Sequence, residues 1–66
     1  MREALEIDFE GRSYRVTYSV ENGMINVSVN SDSRWATVGV TPPEVLAWIM
    51  GIELLADAKR RGVLNG

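Results

Sequence analysis

The feature that most constrains this chain is an alternation of apolar and polar residues that runs through its first forty positions and then stops. A period of two puts successive side chains on opposite faces of an extended backbone, so each alternating run predicts a half-buried strand. Leu5, Ile7 and Phe9 alternate with Ala4, Glu6 and Asp8. Tyr14, Val16, Tyr18 and Val20 alternate with Ser13, Arg15, Thr17 and Ser19, and Ile25, Val27 and Val29 with Asn26, Ser28 and Asn30. A fourth run sets Ala36, Val38 and Val40 against Trp35, Thr37 and Gly39. Strands are therefore expected at about 3–9, 13–20, 25–30 and 35–40.

The breaks between runs carry turn chemistry. Asn22-Gly23 is the strongest hairpin signal, because both residues tolerate the positive φ of a type I′ turn. Glu10-Gly11 reads as a second two-residue turn, and a third is expected around Asp32-Ser33. These turns set the pairing. Ile7 falls opposite Tyr14 and Leu5 opposite Val16, with Glu6 facing Arg15 as a favourable cross-strand charge pair. Val20 falls opposite Ile25, Tyr18 opposite Val27 and Val16 opposite Val29. The third turn would bring Val29 opposite Ala36, Val27 opposite Val38 and Ile25 opposite Val40. All three registers put the apolar set on one face, which argues for an antiparallel meander.

Beyond residue 41 the pattern becomes helical. Thr41 reads as an N-cap with Glu44 three residues on, Pro42 as a first-turn proline, and Gly62 as the residue that ends the helix. Lys59, Arg60 and Arg61 suit the negative end of the helix dipole. The expected fold is α+β: a four-stranded antiparallel meander with one C-terminal helix, about 42–61, packed on one face. The 66 residues make a single domain near the lower size limit for independent folding. With no cysteine, neither disulfides nor a thiolate metal site can supplement so small a core.

Composition also narrows function. The chain has no histidine and no cysteine, so the usual general base, the best nucleophile and the commonest transition-metal ligands are missing. Glu6, Asp8 and Glu10 lie close together, but they read as a charged strand edge that discourages aggregation. An enzyme, a cofactor and a metal are therefore not expected. A net charge of −2 counts against nucleic acid as a general partner. The apolar stretch from Val45 to Ala58 is too short and too charged to span a bilayer, and the first residues show no signal-like apolar run. A cytoplasmic protein is expected, and six arginines against one lysine are compatible with a high-GC bacterial genome.

Two surfaces remain as candidate sites. On a helical wheel Val45, Trp48, Ile49, Ile52, Leu55 and Ala56 form one stripe, expected to face the sheet. Leu46, Ala47, Met50, Gly51, Leu54 and Ala58 form a second apolar band, expected to face outward. Gly51 costs the helix about 1 kcal/mol relative to alanine, which implies a packing reason. That band suggests a non-catalytic interaction or regulatory module, homodimeric through its outer helix face. The second surface is the open face of the sheet, where Arg15, Thr17, Ser28, Arg34, Trp35 and Thr37 are expected to gather. An exposed tryptophan among hydrogen-bonding side chains suits stacking on a nucleobase or a small ligand. A third route to association is strand addition at the edge formed by the uncharged run Trp35 to Val40.

Overall fold

A computed structural model describes residues 2–30 and 32–62. It contains β1 (Arg2–Phe9), β2 (Arg12–Glu21), β3 (Met24–Val29), β4 (Asp32–Thr37) and α1 (Pro43–Arg60). The strands form one antiparallel sheet in the order β1-β2-β3-β4, and α1 packs on one face of it. This is the α+β meander that the alternation predicts.

The first two turns fall where their chemistry places them. Glu10 and Gly11 have φ of +52° and +83°, and Asn22 and Gly23 have +52° and +74°. Positive φ at both central residues matches the twist of the flanking strands, as a type I′ turn requires. The pairings follow: Leu5 with Val16, Glu6 with Arg15, Ile7 with Tyr14, Tyr18 with Val27 and Val20 with Ile25.

The third connection differs from expectation. Val29 pairs with Asp32, and Asn30 takes φ of +56°, so β4 begins earlier than residue 35. Ile25 lies opposite Ala36, not Val40, and Val27 lies opposite Arg34, not Val38. The displacement is an even number of residues, so Ala36 keeps its core-side position and Trp35 stays outside. Val38 leaves the strand but is half-buried against the core, its N–H donating to the carbonyl of Gly23 at 2.9 Å. Val40 is fully exposed. The edge strand therefore includes Asp32 and Arg34, and those charges weaken the case for strand addition there.

The helix also starts one residue later than expected. Pro42 is the N-cap, with φ −56° and ψ 141°, and no side chain caps the first turn, so Thr41 does not form the expected capping box. Pro43 explains this, because a proline pushes the residue before it out of the helical region. The Pro42 carbonyl accepts the first helical hydrogen bond, from Leu46 at 3.0 Å. At the other end Arg61 is the C-cap and Gly62, at φ +76°, closes the helix with its N–H on the Lys59 carbonyl.

Ile7, Val16, Ile25, Val27 and Leu55 are the largest fully buried side chains. Each contributes roughly 1.5–3 kcal/mol of burial. The helix turns Ala47, Met50, Gly51, Leu54, Leu55 and Ala58 toward them. Ala47, Met50, Gly51, Leu54 and Ala58 were expected on the outside, and Leu46 is half-buried against the same core. Of the stripe expected inside, Leu55 is fully buried and Ile52 packs partly against the core, whereas Val45, Trp48 and Ile49 are 46%, 50% and 41% exposed. The helix is rotated relative to the sequence expectation for a steric reason. A β-carbon on Gly51 would lie 2.8 Å from Cδ1 of Ile7 and 3.2 Å from Cγ2 of Val16. The ridge made by Ile7 and Val16 fits the trough over Gly51, with Met50, Leu54 and Leu55 filling the space around it. The packing reason for the glycine is the protein's own sheet.

Candidate interaction surface

With the small-residue band inside, the outward side of α1 is apolar. Val45, Ile49, Ile52 and Ala56 recur at intervals of four, three and four residues, the spacing that keeps side chains on one line of a helix. Trp48 flanks that line. Ile52 and Ala56 are half-buried, and the exposed part of the stripe centres on Val45, Trp48 and Ile49. The six residues assigned to an interface from the sequence are thus not its surface. Neither stripe could be chosen by periodicity, because α1 is apolar on nearly every side. The missed signal lies in the sheet: β-branched Ile7 on β1 and Val16 on β2 demand a small residue above them.

Beside the first turns of the helix, Leu5, Glu6, Glu44, Val45 and Trp48 line an open groove of about 350 Å³. Leu5 and Glu6 come from β1, and the other three from α1. Its floor is apolar, with Glu44 at the rim; Glu6 pairs with Arg15 on the open side of the sheet, so β1 lines the groove there at its edge. Negative charge at this end of the molecule has a visible effect on Tyr18. Burial raises the Tyr18 pKa above its ordinary value, and the nearby Glu44 and Glu3 raise it further.

Cations gather at the opposite end of α1, where they tie the helix to the turns. Lys59 pairs with Glu10 in the β1–β2 turn. Arg61 donates to Asp32 at 2.9 Å and to Asp57 at 3.0 Å, and the Asp32 contact raises the Arg61 pKa. Arg60 pairs with Asp57 at 3.0 Å. On the β4 side Arg34 reaches Glu53 at 3.6 Å.

That contact removes Arg34 from the predicted ligand surface. Arg34 pairs with Val27 and shares its face of the sheet, toward the helix. Arg15, Thr17, Ser28, Trp35 and Thr37 do lie on the open face. Thr17 faces Ser28 across β2 and β3, and Trp35, 56% exposed, faces Asn26. The residue that organises this face is Asn26, which is 7% exposed. Its Oδ1 accepts from Arg2 at 3.3 Å and from Ser28 at 3.5 Å, and its Nδ2 donates to the Arg34 carbonyl at 3.5 Å. Arg2 also donates to Thr17 Oγ1 at 3.1 Å. Thr37 donates to the sulfur of Met24 at 3.6 Å. Thr17, Ser28 and Thr37 of the predicted surface are therefore engaged within the protein. Arg2 and Asn26, outside the predicted set, do most of that bonding.

Among the described residues there is no cluster of three potential metal ligands, and no helix is long and apolar enough to cross a membrane. No protein-family model, curated protein or solved structure matches the chain.

Proposed function

We propose that this chain is a non-catalytic interaction module whose docking surface is the outward stripe of α1 and whose partner is a second copy of itself. The observation that carries the reading is the exposure of Val45, Trp48 and Ile49 at 46%, 50% and 41% on a helix whose other side already fills the core. Single exposed apolar residues are ordinary, but a contiguous stripe that includes a tryptophan is the composition of an interface centre. A second copy fits because the four-three-four spacing is the same read from either end. A two-fold axis between Ile49 and Ile52 sets Val45 against Ala56 of the second copy and Ile49 against Ile52. The lack of histidine and cysteine supports a role in association and not in chemistry. Through such a dimer the module would regulate or inhibit a protein partner.

Sedimentation velocity of the wild type and Ile49→Glu tests the reading. The wild type is expected to sediment as a dimer and Ile49→Glu as a folded monomer with unchanged circular dichroism. A wild type that stays monomeric up to millimolar concentration overturns it. Binding of a small ligand or a nucleic acid on the open sheet face, around Trp35 and Arg15, is the second reading. The exposure of Trp35 favours it, and the internal hydrogen bonding around Asn26 weighs against it. Saturable quenching of Trp35 by an oligonucleotide in a Trp48→Phe background would bring it to the front.

A further inference from the structure

We infer that the groove beside Trp48 receives the Lys59 side chain of the second copy, and that this contact sets the two helices antiparallel. The inference rests on the self-association reading and specifies its geometry. Three observations carry it.

The first is chemical. The groove offers an apolar floor of Leu5, Val45 and Trp48 with the Glu44 carboxylate at its rim, and among the described residues Glu44 has no ion pair. A lysine presents the complement: a four-carbon stem for the floor and an ammonium for the rim. The Trp48 indole adds a face on which a cation is favoured.

The second is the flank on which each group lies. The groove opens between α1 and β1, and Lys59 reaches Glu10 in the turn at the end of β1, so both belong to the same flank of the helix. Arg34 and Glu53 occupy the other flank, toward β4. A two-fold axis perpendicular to two antiparallel helices brings like flanks together. The β1 flank of one copy therefore meets the β1 flank of the other.

The third is position along the axis. About the midpoint between Ile49 and Ile52, Glu44 and Lys59 are only two residues out of step, roughly 3 Å of helix rise. Helical side chains lean toward their own N-terminus, which carries the Lys59 ammonium back toward Glu44. Lys59 already holds Glu10, but its side chain is 54% exposed. An exposed pair of that kind is exchanged at little cost.

Charge exchange in the intact chain tests this by sedimentation equilibrium at low salt. Glu44→Lys and Lys59→Glu are each expected to weaken the dimer about tenfold or more, because each homodimer then holds two like-charge contacts. Glu44→Lys with Lys59→Glu in one chain restores it, and an equimolar mixture of the two single variants forms heterodimers in preference to either homodimer. Both sites are exposed, and circular dichroism confirms that each variant folds. A parallel dimer keeps Glu44 of one copy fifteen residues along the axis from Lys59 of the other, so single variants that dimerise as the wild type does overturn the inference. So does weakening without rescue by the double exchange. If Ile49→Glu dissociates the dimer while the charge variants leave it intact, the inference fails and self-association stands. If the wild type is monomeric, both fail.

Discussion

Gly51 and Ile7 are in contact across the helix–sheet interface so closely that a β-carbon on the glycine would sit 2.8 Å from Cδ1 of the isoleucine. Ile7 is 1% exposed and Val16, the next neighbour, is fully buried, so an added methyl must displace side chains that already belong to the core. Gly51→Ala sets a helix-propensity gain of about 1 kcal/mol against overpacking of roughly 1–3 kcal/mol. A net loss of stability is expected. Ile7→Val removes the clashing methyl, so the double variant should be more stable than the sum of the two singles implies. Urea denaturation of all four proteins checks this, and strictly additive effects would rule out the contact as the cause. Gly51→Leu should fail to fold.

The rotation of the helix makes two members of the stripe expected to face the sheet unequal in a measurable way. Leu55 is fully buried and Ile49 is 41% exposed. Leu55→Ala should cost about 2–5 kcal/mol, enough to unfold a domain this small. Ile49→Ala should change the stability of the isolated fold by less than about 1 kcal/mol. Chemical denaturation in the dilute range, where association does not contribute, separates the two. Equal losses would mean that the helix presents its other side to the sheet.

Asn26 anchors the open face of the sheet through Arg2, Ser28 and the Arg34 carbonyl. Asn26→Ala removes both its acceptor and its donor while Arg2 and Ser28 remain. The expected loss is about 1–2 kcal/mol, typical of hydrogen bonds cut from one side. Arg2→Ala should be milder, and in the double variant the coupling between the two should be visible as non-additivity. Full additivity would show that the bond contributes nothing.

Tyr18 gives the fold an alkaline signature. Burial, then Glu44 and Glu3, raise its pKa above the ordinary 10.0. The folded state thus holds the phenolic proton more tightly than the unfolded chain. That contribution to stability is complete below the unfolded pKa of about 10 and is lost as pH rises through the folded value. In a Tyr14→Phe background Tyr18 is the single tyrosine, and its ultraviolet titration should have a midpoint above the model-peptide value. Glu44→Gln should bring the midpoint down by removing a negative neighbour. A midpoint at or below that of a free tyrosine would contradict the placement of Tyr18.

Much of this architecture is legible in the chain before any folding is considered. The period-two runs declare four strands, and Glu10-Gly11 and Asn22-Gly23 set two registers because few residue pairs accept positive φ at both positions. The third register was less accessible. A displacement by an even number of residues leaves every side chain on its proper face, so alternation cannot distinguish Val29 opposite Asp32 from Val29 opposite Ala36. Moving β4 earlier placed Arg34 on the helix side, where it meets Glu53.

The sequence by itself determined that there would be a meander, a helix after it, and more apolar helix surface than one sheet can cover. Only the tertiary structure decided which side of the helix goes inward. Hydrophobic burial is roughly proportional to area and nearly indifferent to direction, so it does not choose between two apolar stripes. Close packing does choose, because it depends on shape. The ridge of Ile7 and Val16 admits the helix at Gly51, and that contact leaves Val45, Trp48 and Ile49 facing outward.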